Sequence, residues 1–125
     1  MRIIYSQYAP DPIGPYSQAV LVNGLLYISG QIAINAKTQK LITGSIESET
    51  TQVMENIGSI LKEASTDFSK VIKSSIFIKS MNDFTRINQV YGKYFDKNSP
   101  ARETIEVSKL PKNSNIEISC IALVH

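Results

Sequence analysis

The feature that most constrains this chain is the alternation of its last quarter. In residues 100–111, PARETIEVSKLP, one parity carries Arg102, Thr104, Glu106 and Ser108 while the other carries Ile105 and Val107. Residues 115–125, NIEISCIALVH, repeat the pattern: Ile116, Ile118, Cys120 and Ala122 share one parity, and Glu117 and Ser119 share the other with Ile121 and Leu123. A period of two belongs to a strand, whose successive side chains point to opposite faces of a sheet. Two such strands imply a sheet with one apolar face to be covered and a second face of mixed polarity.

What covers the apolar face is legible upstream. Residues 18–35 read as two extended runs joined by Asn23-Gly24, the pair best suited to a tight hairpin turn. Residues 35–45 are polar and read as a loop or a short strand with a turn. Residues 46–65 place Val53, Ile57, Ile60, Leu61 and Ala64 at helical spacing, with Glu47 and Glu49 in the first turn where the helix dipole favours them. Residues 70–80 alternate as a strand, and 82–95 return to helical spacing through Phe84, Ile87, Tyr91, Tyr94 and Phe95, with Asn82 or Asp83 available as N-cap. The order is β-β-(β)-α-β-α-β-β, an α+β sheet with both helices on one face. Polarity assigns Ile105, Val107, Ile116, Ile118 and Cys120 to the covered face. It assigns Arg102, Thr104, Glu106, Glu117 and Ser119 to the uncovered one, which is expected to pack on a copy of itself with pockets at the subunit boundary.

At 125 residues and 42% apolar composition the chain reads as one domain, 1–125. Its 13 basic and 11 acidic residues are dispersed, without a cationic block to track a phosphate backbone, so nucleic-acid binding is not expected. The only cysteine, Cys120, lies in an apolar run, which excludes an intrachain disulfide and points to a reducing compartment. The N-terminus has neither signal-peptide nor transit-peptide character, and no apolar run approaches the roughly 20 residues of a membrane span. A cytoplasmic protein is expected. The sole histidine is His125 and no Cys/His cluster has metal-ligand spacing, so no metal or organic cofactor is expected.

Several motifs together resemble the RidA/YjgF family, the reactive intermediate deaminases that hydrolyse 2-iminobutanoate and 2-iminopropanoate: APDPIGPYSQAV, LLYISGQIAIN, TTQVMENIGSIL, VIKSSIFIKSMNDFTRINQVYGKYF and, most specifically, PAR.TIEV..LP.....IEI..IA. The resemblance runs nearly end to end. It implies a chorismate-mutase-like α+β fold, a mixed β-sheet with two helices packed on one face, and a homotrimer with three interfacial clefts. It implies that Arg102 grips the substrate carboxylate, that Glu117 handles water, and that Tyr16, Ser29, Gly30, Asn88 and the backbone of Thr104 line the substrate cleft. The chain departs from the pattern at Thr104, where many relatives have cysteine. It also departs at Gly58, which costs about 1 kcal/mol of helix propensity and is expected to loosen one wall, and at Ser65, where a glycine usually ends the helix.

The substrate class explains the residue types. A planar guanidinium holds a carboxylate through two parallel hydrogen bonds, which lysine does not reproduce. One carboxylate, Glu117, can deprotonate the attacking water and return the proton to the nitrogen. Bland readings stand beside these roles. Without the motif, an arginine at a strand start is more often a salt-bridge residue, Glu117 a basic residue's partner, Tyr16 a cap on the core beside a proline turn, and Asn88 a helix-face hydrogen-bonder. Cys120 reads as inert core. If the closing strands formed a simple hairpin, Arg102 would face Leu123 and sit roughly 20 Å along the strand from Glu117. Either another strand intervenes or the two residues meet across an interface. Beside the deaminase stand two alternatives: a non-enzymatic 2-oxo-acid-binding regulator and, less in keeping with the charge distribution, a translation-inhibiting ribonuclease.

Overall fold

Asn23 and Gly24 both take positive φ, 51° and 75°, and close a two-residue turn between β2 (Ala19–Val22) and β3 (Leu25–Gln31). This is the left-handed pair that matches strand twist. The computed structural model describes all 125 residues. The remaining elements are β1 (Arg2–Ile4), α1 (Ile46–Glu63), β4 (Val71–Ile78), α2 (Phe84–Tyr91), β5 (Ala101–Glu106) and β6 (Ile116–Leu123). They form one six-stranded sheet in the order β1-β2-β3-β6-β4-β5, antiparallel throughout except for β4 and β5. The strand that precedes the first helix as a third member is β1, at the N-terminus. Residues 35–45 contribute only an isolated bridge, Ile34 to Leu41. Three residues of RII are too few to show an alternation, so β1 exists only by pairing with β2.

Both helices cover one face. Helix α1 starts with a capping box in which Ser45 accepts from the Ser48 amide and Ser48 accepts from the Ser45 amide. It buries Val53, Met54, Ile57, Ile60 and Leu61 against Ile76, Ile78, Ile116, Ile118 and Ala122, each large aliphatic group adding on the order of 1.5–3 kcal/mol. The helix ends with the Ser65 and Thr66 amides donating to the Lys62 and Leu61 carbonyls. Ser65 takes φ 61° there, the left-handed position that glycine usually fills. Gly58 does not loosen a wall: a Cβ there would stand 3.1 Å from Phe68 Cε2, so the missing side chain is replaced by an aromatic ring. Helix α2 is shorter than its periodicity, passing at Gly92 into a 3₁₀ turn. Asp83 makes no capping hydrogen bond and binds Arg86 instead, while Ser80 accepts from the Asn82 amide one turn earlier.

The register overturns one assignment made from polarity. In β6 the parity holds: Ile116, Ile118, Cys120 and Ala122 are buried under the helices, and Glu117 and Ser119 lie on the open face. In β5, Arg102, Thr104 and Glu106 pair with Ser74, Ile76 and Ile78 of β4, the residues of that strand that are buried beneath the helices. Arg102 and Thr104 therefore belong to the helix side. Ile105 lies on the open face and is 46% exposed. The physical reason is position in the sheet. β6 is central and its helix-side parity must be apolar, whereas β5 is an edge strand, only partly roofed by α2, and tolerates polar groups there.

Candidate active site

The sequence-derived residues fall into two groups on opposite faces. The first is built around an irregularity of β3. The β3–β6 register passes from Ile28–Cys120 to Gln31–Ile118, three residues against two, so a bulge falls at Ser29–Gly30. Bulges re-aim backbone and side chains beside sites. Ser29 Oγ donates to the Ser17 carbonyl at 2.6 Å, and its amide donates to the Gln18 carbonyl at 2.9 Å. Gln18, buried, accepts from the Ser6 amide and donates to the Ser6 and Pro10 carbonyls, tying down the proline-rich loop that carries Tyr16. The Tyr16 hydroxyl in turn accepts from the Ile13 amide at 3.2 Å. Ile13, Tyr16, Ser29, Gly30, Ile32, Pro111 and Glu117 line a cleft of about 320 Å³.

Glu117 is the only carboxylate of this cleft, and no Lys, Arg or His lines it. None of the three ion pairs in the chain involves it, and it makes no side-chain hydrogen bond. Burial alone raises its pKa above the ordinary carboxylate value of 4.5. Its side chain occupies the space that any residue other than glycine would fill at position 30: an added Cβ would lie 2.7 Å from Glu117 Cδ and 2.9 Å from Cγ. Gly30 thus leaves the space in which the Glu117 side chain lies.

The second group gathers on the helix side at the β5 edge. The Arg102 guanidinium carbon sits 5.6 Å from the Phe84 ring centroid and 5.1 Å from that of Tyr91. Arg102 also has no ion-pair partner. Asn88 Oδ1 and Thr104 Oγ1 are buried without hydrogen-bond partners. Tyr91 donates to Ser74 Oγ at 2.9 Å, and Ser74 Oγ lies 3.5 Å from Cys120 Sγ. Burial raises the Tyr91 pKa and pushes the Cys120 thiol up to about 11, so Cys120 stays a neutral core residue. No group of three or more His, Cys, Asp and Glu side chains is placed to hold a metal ion.

Strand β4 intervenes between β5 and β6, and it changes the distance without uniting the two groups. Arg102 pairs with Ser74, and Ser74 with Cys120, so Glu117 lies two strands and three residues from Arg102. Those offsets amount to roughly 14 Å between backbones, with the side chains on opposite faces. One chain does not bring them together. No motif in the sequence marks Phe84 and Tyr91 beside Arg102, although Phe84, Asn88 and Tyr91 stand at i, i+4 and i+7, one stripe of a helix. Ile13, Ile32 and Pro111 carried no signal, because they line the cleft through the bulge and the loops.

The fold and this lining define a small-molecule-binding α+β domain. Residues 6–124 match the family model described as Endoribonuclease L-PSP, and the chain belongs to that family, known also as RidA/YjgF. A Lactococcus lactis protein named as a regulator, AldR, is 52% identical over 99% of this chain and 98% of its own length. The human 2-iminobutanoate/2-iminopropanoate deaminase is 44% identical over 98% of this chain and 89% of its own. Among solved structures, Escherichia coli TdcF with bound serine superposes with a TM-score of 0.95 at 34% identity, covering all of both chains. A Thermotoga maritima protein described as an endoribonuclease reaches 0.97 at 42% identity, covering 100% of this chain and 98% of that one. No helix is long and apolar enough to cross a membrane.

Proposed function

We propose that this protein is a deaminase that hydrolyses 2-imino acids such as 2-iminobutanoate and 2-iminopropanoate to 2-oxo acids and ammonia, in sites completed between subunits of a homotrimer. The observation that carries the reading is the separation of two unpaired, opposite charges onto the two faces of one sheet. Arg102 offers a guanidinium with no internal anion, and Glu117 offers a carboxylate with no internal cation. An interface that lays the β5 edge of one copy against the open face of the next puts them in one pocket. Such a contact is heterologous, and three copies close it into a ring. The open face carries Tyr27 and Ile105, 41% and 46% exposed, which gives the association apolar area.

In that pocket Arg102 binds the substrate carboxylate through paired N–H donors, with Asn88 and the backbone of Thr104 lining the pocket beside it. Tyr16, Ser29 and Gly30 wall the opposite side. Glu117 takes a proton from water, hydroxide adds to the C=N carbon, and the resulting carbinolamine carries the former imine nitrogen as an amine. Returning that proton to the nitrogen completes the carbinolamine; the carboxylate then takes the carbinolamine's hydroxyl proton and passes it to the amine as the C–N bond breaks, so the carbonyl of the 2-oxo acid forms and ammonia leaves. Desolvation raises the basicity of Glu117 and so favours the first step. Placing water beside an already electrophilic carbon supplies much of the acceleration. The human relative's name carries this activity, and serine, the ligand of TdcF, presents the same α-carboxylate. The setting would be a cytoplasm in which dehydratases release enamines and imines.

The test couples the protein to a threonine dehydratase and follows 2-oxobutanoate while semicarbazide competes for the imine. Acceleration over the uncatalysed rate supports the reading; its absence, from a protein whose mass by light scattering is three chains, overturns it. The name of the Lactococcus relative favours a second reading, a regulator that binds 2-oxo acids in the same pocket without turnover. A ribonuclease would need a cationic track along the cleft, and no Lys or Arg is among the residues that line it.

A further inference from the structure

Arg102 is held in a way its proposed role does not by itself require. An arginine on the roofed side of a sheet usually finds a carboxylate, which fixes the side chain but also cancels the charge that a ligand would use. Here two rings take that place. Phe84 and Tyr91 reach Arg102 from the same stripe of α2, and both centroids lie within the ~6 Å range of a cation–π contact. The carboxylates nearest in sequence are engaged elsewhere: Glu103 with Lys73 and Ser75, Glu106 with the Met81 amide. The two rings are themselves unequally fixed. Tyr91 is 5% exposed, anchored by its hydroxyl to Ser74 and by its ring to Phe95 at 4.8 Å between centroids. Phe84 is 37% exposed at the first turn of α2 and closes the outer side.

We propose that Phe84 and Tyr91 are positioning residues, an aromatic clamp that orients the Arg102 guanidinium for a carboxylate ligand. This rests on the reading of Arg102 as the carboxylate grip. Ring faces attract the cation while leaving its N–H donors unspent, so the fork is oriented without a competing anion. The clamp also rewards a planar guanidinium over an ammonium, because only the former stacks on an aromatic face.

The experiment measures affinities of the intact protein for two probes, 2-oxobutanoate and its neutral carboxamide, in the wild type and in Phe84→Leu and Tyr91→Phe. Phe84→Leu should weaken 2-oxobutanoate by about 5- to 30-fold and leave the carboxamide unchanged. Tyr91→Phe, which keeps the ring and loses only the Ser74 hydrogen bond, should stay within about 2-fold of the wild type for both. An equal loss for both probes, or no loss for 2-oxobutanoate, overturns the clamp, since a merely structural role would not distinguish charge. The Arg102 Nε–H resonance provides a readout without ligand: the clamp requires a ring-current displacement that shrinks in Phe84→Leu. A wild type that binds neither probe overturns the substrate class, and an unchanged Nε–H resonance in Phe84→Leu then overturns the clamp as well; a displaced one sustains it.

Discussion

Replacing Gly30 by alanine puts a methyl group where the Glu117 side chain lies, and the structure sets the size of the response. To regain ordinary contact, Glu117 Cδ must retreat by about 0.7 Å from its 2.7 Å approach, and the carboxylate oxygen beyond it must move further. Two parts of the molecule could give way. Backbone movement would separate β3 from β6 at the centre of the sheet and forfeit ladder hydrogen bonds. Rotation of the Glu117 side chain into the open cleft costs only an off-rotamer penalty of about 0.5–1.5 kcal/mol. The second is cheaper, so Gly30→Ala should lose about 1 kcal/mol of stability, the low end of overpacking. A reacting group displaced by ~1 Å costs on the order of 10² in rate. The assay pairs the semicarbazide-competition turnover with a thermal melt of the assembled protein. Near-normal turnover in a stable Gly30→Ala protein would refute the argument that the place of Glu117 matters. A loss well above about 3 kcal/mol would show that Glu117 is locked into the structure and does not rotate.

Three further outcomes follow from the same geometry. Arg102→Lys should keep the fold and lose most turnover, because an ammonium neither forks onto a carboxylate nor stacks on Phe84 and Tyr91; unchanged turnover would put the carboxylate elsewhere. Glu117→Gln should cut imine hydrolysis by roughly 10²–10⁴-fold. Its pKa is raised in the folded state, so the proton-linked stability of Glu117 is fully present below about 4.5 and is lost as pH rises through the shifted value. At dilutions where the chains separate, Glu117→Gln should therefore melt above the wild type at pH 7, by a margin that narrows on acidification; in the assembled protein the neighbouring copy's Arg102, which the proposed pocket places near Glu117, should reduce that margin, and an equal margin in both states would mean that the two charges do not share a pocket. Gly58→Ala should show no gain in melting temperature, because the ~1 kcal/mol of helix propensity is offset by the 3.1 Å approach to Phe68, whose ring is itself held by Tyr94 and Phe95; a clear gain would show that Phe68 yields freely.

The local chemistry of this chain was legible from its residues. Asn23-Gly24 specified its turn because left-handed φ is cheap for that pair, and the 46–65 periodicity specified α1 because a helix of this length needs one continuous apolar stripe. β6 showed its covered face because a central strand under two helices has to be apolar there. The family motif marked Arg102, Glu117 and Gly30 as residues to explain. The arrangement of these residues was decided by tertiary structure. β4 lies between the two closing strands, which are neighbours in sequence, and its parallel pairing with β5 cannot be seen in the alternation of either. The polarity of an edge strand reports its exposure at the rim and not the face it points to, so Arg102 and Glu117, alike in sequence pattern, stand on opposite sides of the sheet. The clamp of Phe84 and Tyr91 arises because α2 crosses that rim, and the contact of Gly30 with Glu117 arises because a bulge in β3 turns the backbone toward β6. Patterns along a chain record which side chains need cover. Register and crossing decide which of them meet.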